Sequence, residues 1–228
     1  MNRAADESEE VLRLSLDAKA VVKLGMSSRR GTNRIPTDAA DHDHVHVGKV
    51  VPVGLFVPKL DELWIFMVTS KVTADCLVDV VEAFWKENRH RFPKVRKLLV
   101  DLDNGPENNS RRSQFMSRLI DLADDAHVNV SLAYYPPYHS KYNPVERCFG
   151  VLENHWNGAI LSTLDAAVGW ASTMTWKGHH PTVRIVDTVY ELGKKVAAPL
   201  MALYEQFRLR RDASMPKYFV DIAAWATS

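Results

Sequence analysis

The sequence has few cysteines and no long apolar run. Its 228 residues include only Cys76 and Cys148, which lie far apart and lack the paired spacing of a zinc or redox motif, so we expect a reducing, intracellular compartment. No stretch of about eighteen uncharged apolar residues occurs, and the acidic N-terminus does not resemble a signal peptide. The sequence therefore predicts no membrane partner and a cytoplasmic location.

An excess of positive charge is also missing. Lysine and arginine number 29 against 28 aspartates and glutamates, and the net charge of +1 gives no bulk electrostatic reason to expect a nucleic-acid ligand. Basic residues cluster locally near the start and the end of the chain, where solvated surface faces are the commoner explanation. The hydrophobic fraction of 46% is ample for a buried core.

Hydrophobic periodicity predicts an α/β order of elements. Leucines alternate with polar residues over 11–16, which is typical of a strand, and Asp17 follows. Further strands are predicted at 20–24, 50–57, 63–69, 98–102 and 128–134, and helices at 73–89 and 113–125 and from Asn143 and Pro144 onward. Strands that alternate with helices require parallel pairing, so the fold class is a mixed sheet flanked by helices.

Beyond residue 160 the pattern predicts helices only, in contrast to the alternating strands and helices before it. Two helices are predicted beyond residue 160, one at 166–173 and a longer one at 189–207. We therefore expect a domain at 1–160 that contains the sheet, followed by a C-terminal helical extension at 161–228.

Three carboxylates stand where an α/β fold would bring them together. Asp17 and Asp103 close two separate strands, and Glu146 lies in the first turn of a helix that must pack back on the sheet. Magnesium prefers oxygen ligands and is commonly shared between carboxylates and substrate phosphates. A pair of such ions can activate the attacking oxygen and stabilise the leaving oxygen in phosphoryl transfer.

Each of these residues also has an ordinary structural interpretation. Asp17 can begin a turn, Asp103 stands before an Asn-Gly turn, and Glu146 can complete a capping box with Asn143. Asp101 is a rival for the second carboxylate, because residues two apart on a strand face the same side. Asp103 is favoured because it lies nearer the turn.

Three sequence motifs resemble those of the DDE-type insertion-sequence transposases, in particular the ISAzo-type family. They are LSLDAK at 14–19, DNGPEN at 103–108 and YPPYHSKYNPVER at 135–147, of which the last is the most specific. In such families the first Asp ends the first strand, the second precedes a short turn, and the Glu follows a helix start. The acidic residues of this chain match in order and setting.

The resemblance implies an RNase H-like catalytic domain with Asp17, Asp103 and Glu146 as catalytic residues and ligands of two Mg²⁺ ions, with Mn²⁺ as a substitute. It implies a polynucleotidyl transferase that cleaves and joins DNA strands at the ends of a mobile element. Implied partners are element-end and target DNA and further copies of the chain, and the implied location is nucleoid-associated. Such proteins commonly carry an N-terminal helix-turn-helix domain, which we expect to be absent because Asp17 comes so early.

Four basic or aromatic residues in or near these motifs are candidates for DNA contact, namely Lys19, His139, Lys141 and Arg147. Packing within the loop is the alternative for those near Glu146. A segment with alternating acidic and histidine residues at 41–46 has the side chains of a zinc site, but it has no obvious fourth ligand. A solvated loop is the favoured interpretation of that segment.

Two other functions remain open from the sequence. The chain can be a truncated, non-catalytic remnant or regulator that binds DNA or a full-length transposase. It can also be a host nuclease of the same fold that acts on a hybrid or branched substrate.

Overall fold

In the described part of the chain, nine strands form one mixed sheet. The computed structural model describes residues 1–26, 46–136 and 143–225. The strands are β1 (Val11–Ala18), β2 (Val22–Gly25), β3 (His46–Val57), β4 (Glu62–Val68), β5 (Lys97–Leu102), β6 (Asn129–Tyr134), β7 (Thr182–Val186), β8 (Leu209–Arg211) and β9 (Phe219–Ile222). The helices are α1 (Asn2–Glu7), α2 (Ala74–Asn88), α3 (Ser113–Ala126), α4 (Pro144–Trp156), α5 (Leu164–Thr173) and α6 (Ala198–Phe207), with a 3₁₀ turn at Arg89–Arg91.

The strand order is β7-β4-β3-β1-β5-β6-β9-β8, and β2 pairs with β3 beside this path. Strands β1, β5 and β6 run parallel, whereas β3 is antiparallel to both β1 and β4. The central strand β1 therefore has β3 on one side and β5 on the other. The predicted mixed sheet flanked by helices is confirmed.

Two cores cover the two faces of the sheet. On one face α2 and α3 pack on the even-numbered leucines of β1, such as Leu14, and on Leu98 of β5. On the other face α4 and α5 pack on β3 and β4, with Trp156 fully buried at the centre. The short helix α1 covers Leu99 and Ala133 on this second face.

Local signals explain where the helices begin. The Thr73 hydroxyl accepts a hydrogen bond from the Cys76 N–H at 3.3 Å and so caps α2. Pro144 occupies the first turn of α4, where its missing N–H costs nothing. Within the described residues, no helix is long and apolar enough to cross a membrane.

The segment beyond residue 160 contains more than helices. The helix predicted at 166–173 is present as α5, but β7, β8 and β9 are additional strands and all join the central sheet. The helix predicted at 189–207 begins only at Ala198, so its first half was wrong. Gly193 adopts a positive φ of 79° and Pro199 lies in the first turn, which together favour a break before α6.

Candidate active site

Asp17 and Asp103 lie at the same end of two neighbouring parallel strands. The pairing of β1 with β5 matches Ser15 to Asp101, so the positions two residues further on are Asp17 and Asp103. Asp17 is 9% exposed, and Asp103 is half-buried just after β5 ends. The sequence prediction that both carboxylates meet at one sheet edge agrees with this geometry.

Glu146 reaches the cluster from the first turn of α4. Its side chain is half-buried and lies within hydrogen-bonding reach of the Asp17 carboxyl. The helix can come this close because Gly54, opposite Asp17 on β3, has no side chain. A Cβ atom on Gly54 would lie 2.7 Å from Cγ2 of Val145 and 2.8 Å from the ring of Phe149.

The start of α4 is bonded directly to β1. The Ser15 hydroxyl donates to Oδ1 of Asn143 and accepts from the N–H of Val145 at 2.9 Å. The side-chain amide of Asn143 donates to the Leu16 carbonyl at 3.2 Å. Asn143 holds the N-cap position, but its side chain does not cap its own helix, so the capping-box interpretation of Glu146 was wrong.

The electrostatics of Asp17 reflect the crowding of negative charge. Burial raises its pKa most, and the charges of Asp103 and Glu146 together with a hydrogen bond to Glu146 raise it further, to about 8. The N–H of Ala18, which donates to Oδ1 of Asp17 at 2.7 Å, opposes this shift. The cluster therefore favours a bound proton or cation over three free negative charges.

A cleft of about 250 Å³ opens beside Asp17 and Asp103. The loop after β5 forms its wall, and the side-chain amide of Asn108 donates to Oδ1 of Asp103 at 2.7 Å. Asn108 is 5% exposed, and among the described residues its Oδ1 has no hydrogen-bond partner. Glu107 also lines the cleft and pairs with Arg112 at 3.1 Å.

Asp101, the rival for the second carboxylate, is engaged elsewhere. It is fully buried and accepts hydrogen bonds from Arg13 at 2.9 Å, from Asn2 at 3.1 Å and from the Tyr135 hydroxyl at 3.2 Å. Arg13 also pairs with Asp6 on α1. Asp101 thus joins α1 and β1 to β5, while Asp103 faces the cleft.

The four candidates for DNA contact have different surroundings. Lys19 forms an ion pair with Glu153 at 2.8 Å, and both side chains are about 15% exposed or less, so a phosphate would have to displace Glu153. Arg147 is exposed in the first turn of α4, next to Glu146. His139 and Lys141 lie outside the described residues, as do residues 41–45 of the acidic and histidine segment at 41–46.

Several supporting residues were not predicted from the sequence. Ser15, Gly54 and Asn108 carry no recognisable signal by themselves, because their roles depend on contacts with distant parts of the chain. For Asn143 the sequence predicts only a helix start and a capping box with Glu146. The motif Asn-Pro-Val-Glu at 143–146 is the one sequence signal that could have indicated a further role for Asn143.

The donor set fits a hard divalent cation in its chemistry. Three carboxylates supply the oxygen ligands that Mg²⁺ and Mn²⁺ prefer, and burial together with the charges of Asp103 and Glu146 raises the pKa of Asp17. In the part of the chain that the structure describes, no three histidine, cysteine or acidic side chains are already arranged to hold an ion. Asp17, Asp103 and Glu146 are the residues that could do so.

The mixed sheet with an acidic cluster at the ends of its central parallel strands defines an RNase H-like fold. The chain belongs to the family described as the Rhodopirellula transposase DDE domain, whose sequence profile matches residues 1–224. This result confirms the resemblance to DDE transposases. No curated protein sequence matches the chain.

Solved structures of Mos1 transposase are similar to the chain. A Mos1 transposase paired-end complex with the left transposon end superposes with a TM-score of 0.51 at 11% identity, covering 74% of this chain and 49% of that one. A pre-cleavage Mos1 transpososome gives a TM-score of 0.43 at 10% identity, covering 71% and 47%. The chain thus spans about half the length of these proteins, and the first comparison supports the RNase H-like fold.

Proposed function

We propose that this chain is a transposase catalytic domain that cleaves and joins DNA strands at the ends of a mobile element. The observation that carries the proposal is the convergence of Asp17, Asp103 and Glu146, where burial first and then the charges of Asp103 and Glu146 raise the pKa of Asp17 to about 8. Perturbed carboxylates in a cleft are typical of functional sites. Membership of the DDE transposase family supplies the class of reaction.

In this proposal the three carboxylates hold two divalent cations, Mg²⁺ or Mn²⁺. When bound, such ions activate an attacking oxygen and stabilise the leaving oxygen of a phosphodiester. The chain's own part is to fix the carboxylates. Ala18 and Asn108 each donate a hydrogen bond to one oxygen of Asp17 and Asp103, respectively, which orients the second oxygen.

We also propose that Arg147, His139 and Lys141 contact the phosphates of element-end DNA, with Lys19 as a contact that requires release from Glu153. Arg147 has the best support because it is exposed beside Glu146. The description of the Mos1 structure as a paired-end complex with a transposon end supports DNA ends as the ligand. We expect the active complex to contain more than one copy of the chain, as the family resemblance implies.

The test is a cleavage assay with the purified chain, Mn²⁺ and labelled duplexes from the ends of the encoding element. We expect a nick at the element boundary with the wild-type chain and none with Asp103→Asn. Asp125→Asn is the matched control, since it makes the same chemical change at an exposed carboxylate on α3. Calorimetric titration with Mn²⁺ should show binding to wild type and control and much weaker binding to Asp103→Asn.

Other outcomes would contradict the proposal. Cleavage that is unaffected by Asp103→Asn would place the chemistry elsewhere. Binding of end DNA without metal-dependent cleavage, and unchanged by Asp17→Ala, would indicate a non-catalytic remnant or regulator. Preference for an RNA–DNA hybrid or a branched junction over linear ends would indicate a host nuclease of the same fold.

A further inference from the structure

We propose that Ser15 and Asn143 form a clamp that positions Glu146 against Asp17. In this assignment both are positioning residues, since both are fully buried between β1 and α4 and act through Glu146. The role of the clamp in positioning Glu146 rests on the proposed function. The clamp itself is inferred from the contacts between β1 and α4.

The clamp consists of three hydrogen bonds made by two side chains. Ser15 donates its hydroxyl proton to Asn143 and accepts from the Val145 N–H, while the Asn143 amide donates to the Leu16 carbonyl. One bond joins side chain to side chain, one reaches the helix backbone and one reaches the strand backbone. Together they fix both the distance and the rotation of the first turn of α4 relative to β1.

The positions of the clamp residues relate them to the carboxylates. Ser15 precedes Asp17 by two residues, so both side chains project from the same face of β1. Asn143 precedes Glu146 by three residues, and its carbonyl accepts from the Glu146 N–H at 3.0 Å. The clamp therefore lies about one strand repeat and one helical turn away from the Asp17–Glu146 contact.

Burial makes this arrangement hard to replace. Ser15 and Asn143 are both 0% exposed, and the surrounding interface is apolar, with Val145 and Phe149 packed at Gly54. A buried hydroxyl or amide is costly unless its hydrogen bonds are made. A satisfied polar pair at this site selects one orientation of the helix, which an apolar contact would not specify.

The helix also receives its cap from another element. The first N–H groups of a helix lack partners within it, and a residue at its own N-cap commonly supplies one. Here Ser15 on β1 supplies an acceptor to Val145, whereas the Asn143 side chain faces the strand. The first turn of α4, which includes Glu146, is therefore complete only when the helix is docked on β1.

The test compares Ser15→Ala and Asn143→Ala with Ser131→Ala in the full chain. Ser131 is a matched control because it lies on β6 of the same sheet, is 4% exposed and bonds Asp221 instead of α4. Three quantities are measured: thermal stability without metal, hydrogen exchange of the Val145 amide, and Mn²⁺ affinity by calorimetry. Asn143→Ala provides the answer if Ser15→Ala fails to fold.

We expect Ser15→Ala to accelerate Val145 exchange severalfold and to weaken Mn²⁺ binding by about tenfold, as is common when a supporting contact of a metal site is lost. The Ser131→Ala variant should lose stability but keep the wild-type rate of Val145 exchange and the wild-type Mn²⁺ affinity. Unchanged Val145 exchange would overturn the clamp. Faster exchange with wild-type Mn²⁺ affinity would overturn its positioning role.

A failure of the proposed function would look different. If the wild-type chain neither binds Mn²⁺ nor cleaves end DNA, the catalytic assignment fails. Hydrogen exchange of the Val145 amide then tests the clamp alone, since the bond between the Val145 N–H and Ser15 needs no metal.

Discussion

Gly54 stands directly opposite Asp17 in the antiparallel pairing of β3 with β1. Because glycine has no side chain, α4 packs against the sheet at the height of the acidic cluster. We predict that Gly54→Ala destabilises the fold by about 1–3 kcal/mol, because its Cβ would lie 2.7 Å from Val145 and 2.8 Å from Phe149. Urea denaturation measures the loss, and Mn²⁺ affinity should fall with it.

Gly150 provides the control for that substitution. It lies within α4, and a Cβ there would meet nothing within 4 Å. Gly150→Ala should therefore stabilise the chain by about 0.5–1 kcal/mol through its better helix propensity. Equal effects of the two alanines would show that α4 does not approach β3 closely at Gly54.

A second prediction concerns the pH dependence of the metal-free chain. The folded pKa of Asp17, about 8, exceeds the usual unfolded value near 4. Between these values the folded state binds a proton that the unfolded state releases, so the free energy of unfolding falls as the pH rises from about 4 to about 8. Asp17→Asn removes this contribution and should be more stable than wild type at pH 8, by on the order of 1–3 kcal/mol.

Urea denaturation in EDTA at pH 5, 6, 7 and 8 checks this prediction. The wild-type curve should fall more steeply with pH than that of Asp17→Asn, while Asp125→Asn should follow the wild type. Parallel curves for wild type and Asp17→Asn would contradict the raised pKa.

A third prediction concerns the buried ion pair of Arg13 with Asp101, which lies at 2.9 Å. Arg13→Met leaves Asp101 without its counter-charge at a fully buried position and should cost about 3–5 kcal/mol of unfolding free energy. The double variant Arg13→Met with Asp101→Leu should recover most of that loss, because it leaves no buried charge unpaired. A double variant as unstable as the single one would argue against this interpretation.

A fourth prediction concerns Asn108, whose amide donates to Asp103. Asn108→Ala frees that carboxylate to rotate and should weaken Mn²⁺ binding by about tenfold or more. The neighbour Asn109 bonds the carbonyls of Gly105 and Pro106 in the same loop, so Asn109→Ala tests the loop without touching the carboxylate. Calorimetry should show the larger loss of affinity for Asn108→Ala.

The sequence predicted the parts of the fold that have strong local signals. The alternating leucines of β1, the threonine cap of α2 and the proline start of α4 each act over a few residues. The meeting of Asp17 with Asp103 was also predictable, since parallel neighbours bring their carboxyl ends to one edge. The strands β7 and β8 were not predicted, because they are short and largely exposed.

Long-range contacts account for what the sequence could not predict at the site. Ser15 and Asn143 are separated by 128 positions, and the local sequence around either residue does not indicate that the two are in contact. The choice between Asp101 and Asp103 depends on Arg13, which lies on a different strand. Such roles follow from the packing of the sheet and not from any local pattern.

The order in which the strands appear along the chain has a consequence for folding during synthesis. All three carboxylates have been made by the end of α4, yet β7 and β8, which form the outer edges of the sheet, come later. Until β7 and β9 pair with them, β4 and β6 present open rows of backbone N–H and C=O groups, which invite pairing with other chains. A nascent chain therefore acquires its acidic residues well before it is protected from aggregation.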